Sequence, residues 1–173
     1  MQWPEFAHAV RAAGAILGED RVVVIGSQSI LAWFDDPPPE TTLSREVDIA
    51  ALDDPDDRKS HVLAGAIGEG SPFDAAFGFH VDGVSLGTPI APSGWLGRCR
   101  AVSTPAMNGV TALCMEPHDL CVAKLMAGRE KDISFVRALL AAGLVDRSTI
   151  LTRLNDTAVA DPIRDRARAT LHG

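Results

Sequence analysis

Apolar positions along the chain fall into short periodic stretches of two kinds. Over residues 3–18, Phe6, Val10, Ala13 and Leu17 recur at helical spacing and predict an amphipathic helix. Arg21-Val22-Val23-Val24-Ile25 is a β-branched run that predicts a buried strand. Gly26-Ser27 ends it, and Gln28 to Phe34 reads as a short helix. Asp35-Asp36-Pro37-Pro38-Pro39-Glu40 cannot hold regular structure and predicts a surface loop. Arg45 to Ala50 alternates charged and apolar residues, the pattern of a half-exposed strand. The acidic loop Asp53-Asp54-Pro55-Asp56-Asp57 is suited to cap a helix over 57–68.

Farther along, Phe77 to Leu86 alternates again and predicts a strand with a turn near Asp82-Gly83, while 98–102 and 110–115 are two more strand candidates. From Pro117 the period becomes helical. Pro117 suits a first turn, Gly128 a break, and Ile133, Val136 and Leu140 a core-facing stripe. A last helix, over 160–171, carries Arg164, Arg166 and Arg168. This order predicts an α/β (α+β) domain, a mixed β-sheet flanked by helices with a helical C-terminal tail. Residues 1–115 are expected to form the core, and 116–173 a helical region packed on it in one compact domain.

Composition narrows the setting. The chain has 173 residues, 46% of them apolar, enough to enclose a core. No apolar run approaches the ~20 residues of a membrane span. Met1-Gln2-Trp3-Pro4-Glu5 has neither a basic nor an apolar leader segment, so no secretory signal is expected. The three cysteines form no CxxC and cannot all pair, which suits a reducing compartment. The expectation is a cytoplasmic protein with no membrane partner. A net charge of −7 argues against binding nucleic acid by bulk electrostatics. Only three of the sixteen basic residues are lysines, Lys59, Lys124 and Lys131.

Candidate chemistry sits in three places. Gly26-Ser27, between a strand and a helix, presents backbone N–H groups and a hydroxyl suited to a phosphate, although many such turns are only tight turns. Glu46 and Asp48, two apart on a strand, point to one face about 6–7 Å apart along it. Such a pair either faces water on an edge or is held together by a cation such as magnesium. Asp82 completes a carboxylate triad if its strand lies beside that of Glu46, whereas Asp-Gly by itself signals a hairpin turn.

Taken together, Val24-Ile25-Gly26-Ser27, Glu46-Val47-Asp48-Ile49 and Val81-Asp82 resemble the DNA polymerase β superfamily of nucleotidyltransferases. That pattern has aspartate where this chain has Glu46. Residues 116–132, with Asp119-Leu120, Lys124-Leu125, Ala127 and then Arg129 and Asp132, resemble the D-L-x-x-x-K-L-x-A and R-x-x-D pattern of bacterial AbiEii/MenT-type toxins. The resemblance implies active-site roles for Lys124 and Asp132. Lys124 lies in a helix lined by Leu120, Ala123 and Ala127, so it either snorkels to solvent or enters a cleft, where it would neutralise a triphosphate. Asp132 would orient Lys124, bind nucleotide or merely charge a helix start.

Other chemistries lack their motifs. There is no HExxH, no metal-finger spacing among His8, His61, His80, His118 and His172, no Walker loop and no GxSxG. Trp95 either packs under a loop or stacks on a base, and the arginines at 164, 166 and 168 form either a solvated face or a local nucleic-acid patch. The nucleotidyltransferase resemblance implies NMP transfer from an NTP to an acceptor hydroxyl with Mg2+ or Mn2+. Glu46, Asp48 and Asp82 would bind metal, Gly26, Ser27, Lys124 and Asp132 would bind nucleotide, and Glu46, Asp48, Asp82 and Lys124 would carry catalysis. By resemblance the acceptor would be a tRNA 3′ end and the setting a toxin–antitoxin or phage-defence pair with a cognate antitoxin. The alternatives are a catalytically inactive nucleotidyltransferase-like binding module and a small-molecule nucleotidyltransferase acting on a cationic antibiotic.

Overall fold

A computed structural model describes residues 1–172; Gly173, the last residue of the expected helical region, lies outside them. Helix α1 (Trp3–Leu17) is followed by strands β1 (Arg21–Val24) and β2 (Glu46–Ala50), then by helices α2 (Arg58–Ile67) and α3 (Pro72–Phe77) and strand β3 (His80–Gly83). Strands β4 (Arg100–Val102) and β5 (Thr111–Cys114) follow, and then helices α4 (Pro117–Ala127), α5 (Glu130–Ala141), α6 (Arg147–Asn155) and α7 (Asp161–His172). The strands form a mixed sheet in the order β3-β2-β1-β5-β4. β1 runs parallel to β5 and antiparallel to β2, while β2 and β3 are parallel.

β1 lies in the centre because its side chains are apolar on both faces. Val22 and Val24 join Phe6, Val10 and Leu63 under α1 and α2. Val23 and Ile25 join Leu120, Phe135 and Leu139 under the C-terminal helices. The sheet is thus covered by helices on both faces, as expected from the fold class. Among the described residues, no helix is long and apolar enough to cross a membrane.

Period two on β2 sends Val47 and Ile49 into the core beneath α1 and α2. Glu46 and Asp48 therefore turn to the opposite face. Strand β3 repeats the device: Val81 is buried in the same core, and the register pairs Glu46 with His80 and Asp48 with Asp82. Four polar side chains are brought onto one face by the alternation of two neighbouring strands.

The alternating segment 77–86 is not one strand with a turn. Phe77 ends α3, a short helix started by Ser71, whose Oγ accepts the Asp74 N–H at 3.2 Å, and by Pro72 in the first turn. Asp82-Gly83 makes no hairpin turn but continues β3 alongside β2. Glycine is required at 83 because a Cβ there would stand 2.0 Å from the Ser60 carbonyl oxygen. The short helix expected after Ser27 is a 3-10 turn over 27–32, and the segment Trp95–Arg98 is another, ahead of β4. The cap of α2 is Asp54, which accepts the N–H groups of Lys59 and Ser60 at 2.9 Å each.

In α5 the buried face is Asp132, Phe135, Val136 and Leu139, so the stripe is rotated from the expected Ile133, Val136 and Leu140. An acid within the buried face hid this from hydrophobic spacing. A second buried acid, Asp119 on α4, is wholly enclosed. Arg98 grips it with two hydrogen bonds of 2.7 and 3.0 Å, and Arg153 of α6 adds a third at 2.8 Å. This triad ties the loop before β4 and α6 to α4. Partly buried Trp95 packs against the adjoining apolar cluster. The arginines of α7 are engaged locally: Arg164 donates to Asp161 and to the carbonyls of Thr157 and Val159, and Arg166 to that of Met126.

Candidate active site

Beyond the edge of α4 and α5 the sheet face is left open, and a cleft of about 600 Å³ lies there. Gly26, Ser27, Glu46, Asp48 and Asp82 line one side, and Lys124 and Asp132 the other. The seven residues expected to bind metal or nucleotide or to carry catalysis therefore border one cleft, whereas Trp95 and the arginines of α7 do not line it. Arg129 and Lys131 also line it.

Asp48 is the most constrained of the acids. A Cβ on Gly26 would lie 1.6 Å from Asp48 Oδ2, so the carboxylate rests directly over the glycine Cα. Gly26 has an ordinary φ of −76°; this close approach, rather than a left-handed turn, is what demands glycine. Burial, together with the neighbouring carboxylates of Glu46 and Asp82, pushes the Asp48 pKa up to about 6, against the opposing pull of Lys124 and Lys131. Burial and Glu46 likewise raise that of Asp82. Acids held close enough to disfavour their own ionisation form a site prepared for a positive charge.

Donor atoms of Glu46, His80 and Asp82 all lie within 4.8 Å of one another. A divalent ion bound to oxygen at about 2.1–2.5 Å bridges ligands separated by no more than that span. The residues present therefore fit a cation. Asp48 borders the same cleft at the next register position. His80 was not among the expected ligands. Its two-residue spacing from Asp82 puts both on one face of an alternating strand, but its relation to Glu46 is made by strand register.

On the facing wall, Lys124 Nζ donates to Asp132 Oδ1 at 3.0 Å and stands 4.4 Å from the centroid of the Phe135 ring. Arg129 donates to both oxygens of the same carboxylate, at 2.6 and 3.3 Å. Asp132 is fully buried, and although burial alone would raise its pKa, Arg129 and Lys124 hold it below the usual carboxylate range. It thus anchors both cations, Lys124 from across the Gly128 break, where φ is +66°, and Arg129 from its own side of it. Lys131 is exposed and reaches to within 4.0 Å of Glu46. Arg129 and Lys131 escaped sequence reasoning as site residues, although the three-residue spacing of Arg129 and Asp132 marks a helical ion pair.

The cleft therefore sets a cluster of anionic donors, fit for a cation, opposite a cluster of cations fit for phosphates. A family model described as nucleotidyltransferase of unknown function, DUF6036, matches residues 6–172. No curated protein and no solved structure matches the chain.

Proposed function

The chain belongs to this family of nucleotidyltransferases, and from that premise we propose that it transfers a nucleoside monophosphate from an NTP to an acceptor hydroxyl, assisted by Mg2+ or Mn2+. The observation that carries the reading is the opposition, across one cleft, of Glu46, Asp48 and Asp82 to Lys124, Arg129 and Lys131. Glu46, Asp48 and Asp82 would hold the cation. When bound, it supplies charge neutralisation on the phosphates and favours the alkoxide form of the acceptor.

The chain's own groups account for the rest. Gly26, with no side chain, and the Ser27 hydroxyl line the cleft where the phosphates enter. Lys124, held by Asp132, meets the negative charge that grows on the leaving group. The bond from the acceptor oxygen to the α-phosphorus forms, and the bond from that phosphorus to the bridging oxygen of the β-phosphate breaks. The hydroxyl proton passes to a carboxylate of the cluster, with Asp82 in that role, and pyrophosphate leaves. Asp132 acts as a positioning residue, since both its oxygens are already occupied by Lys124 and Arg129.

On the likeness of residues 116–132 to the AbiEii/MenT group, the acceptor we assign is a tRNA 3′ hydroxyl, in a toxin–antitoxin or phage-defence pair. Support for an RNA is local: the side chains of Arg129 and Lys131 are 62% and 67% exposed at the cleft, whereas Arg164 is turned inward onto loop carbonyls. The test is incubation with each α-labelled NTP, Mg2+ or Mn2+, and total tRNA, with an aminoglycoside in a parallel reaction. Labelled tRNA, abolished by Asp48→Ala, is expected. Labelling of the aminoglycoside alone would reassign the acceptor, and no labelling, or labelling that survives Asp48→Ala, would refute the activity.

A further inference from the structure

His80 is 8% exposed, and its Nδ1 is buried with no hydrogen-bond partner. A buried polar group left unpaired keeps its full desolvation penalty, so such a side chain normally has a partner. The nearest acid to Nδ1 is Asp74, with Oδ1 3.7 Å away, beyond hydrogen-bond length. Asp74 is already engaged: it accepts the Gly70 N–H at 3.1 Å and an Arg45 N–H at 2.9 Å. Yet a ring nitrogen of His80 lies within 4.8 Å of carboxylate oxygens from both Glu46 and Asp82. The imidazole is thus directed into a pair of acids by the parallel register of β2 and β3.

We propose that His80 is a metal ligand, and that Glu46, His80 and Asp82 form a mixed nitrogen and oxygen site that takes a transition-metal cation such as Mn2+ in preference to Mg2+. The proposal rests on the reading of this cleft as a cation-assisted site, but not on nucleotidyl transfer itself. Magnesium is a hard ion that favours oxygen and keeps its waters, whereas imidazole suits the first-row transition metals. With no hydrogen bond holding it to Asp74, the imidazole can give a ring-nitrogen lone pair to the cation. Two carboxylates with one imidazole would account for a buried ring nitrogen, Nδ1, that has no hydrogen-bond partner inside the protein.

The test uses the full chain and Mn2+, alone and then with a non-hydrolysable ATP analogue. Electron spin-echo modulation is recorded on protein grown with ordinary histidine and with 15N-histidine. The expected result is bound Mn2+ whose nitrogen modulation changes on histidine labelling and disappears in His80→Asn or His80→Gln. Mg2+ should displace the bound Mn2+ only at about a hundred-fold excess. Should both variants unfold, the change in nitrogen modulation on histidine labelling of the intact protein makes the assignment by itself, since His80 is the histidine of the metal-competent group among the described residues. Bound Mn2+ without histidine modulation, no bound Mn2+ in either condition, or displacement by equimolar Mg2+ would overturn the proposal. Failure of transfer with the histidine signal intact removes the activity and leaves the site. Transfer with Mn2+ bound only through oxygen does the reverse.

Discussion

Replacing Asp48 by asparagine should stabilise the metal-free protein while abolishing its activity. The side chain lies over Gly26, among other acids, and its pKa is raised from an ordinary 3.8 to about 6. That displacement corresponds to about 3 kcal/mol of unfavourable free energy on the charged form. The folded state holds this proton more tightly than the unfolded chain. The group's favourable contribution is therefore fully present below pH ~4 and is lost as the pH rises through about 6. Asparagine keeps the shape and never acquires the charge. Urea unfolding in EDTA at pH 7.5 should show Asp48→Asn more stable than the wild type by about 1–3 kcal/mol, with the difference narrowing at pH 4.5. Saturating Mn2+ should close the gap at pH 7.5 by stabilising the wild type. An Asp48→Asn protein less stable than wild type at both pH values, or sharing its pH dependence, would refute the reasoning.

Other expectations concern the supports of the cleft. Gly26→Ala places a methyl 1.6 Å from Asp48 Oδ2, so the carboxylate must move; kcat should fall at least ten-fold and unfolding free energy by about 1–3 kcal/mol, read by steady-state transfer and urea titration. Asp132→Asn leaves Lys124 and Arg129 without their shared anion. A loss of about 2–3 kcal/mol is expected, less than for a fully enclosed pair because Arg129 reaches solvent, with kcat reduced more than KM. Asp119→Ala strips the triad that joins Arg98 and Arg153 to α4 and should remove about 3 kcal/mol. Calorimetry should register this as a fall in Tm of roughly 6–12 °C.

The sheet and its flanking helices were legible because β1 and β2 announce themselves by different burial, one apolar throughout and the other alternating. Glu46 and Asp48 followed from that alternation, since period two needs no partner strand to be read. His80 did not, because its place beside Glu46 depends on the pairing of β2 with β3, and the Asp82-Gly83 dipeptide carries a turn signal that the register overrides. Helix α3 was obscured by Phe77, which is half-exposed at the end of a six-residue helix and imitates a strand residue. Asp132 was recognised as a site candidate, but its enclosure was not: of the cations that permit burial, Lys124 comes from across the break at Gly128. Local periodicity carries what a segment does with its own two faces. Contacts made by strand order or across a helix break leave no such trace.

The contact between Gly26 and Asp48 links two positions in heredity as well as in space. Glycine at 26 is obligatory only while a carboxylate occupies the Cα face, and a carboxylate at 48 is accommodated only while 26 remains glycine. Neither can drift alone. In any lineage that abandons the chemistry, shortening of residue 48 releases its neighbour, so side chains should accumulate at 26 only after the acid is gone. The pair is a two-letter record, readable in an alignment of relatives, of which descendants retain a working cleft and which keep only its framework.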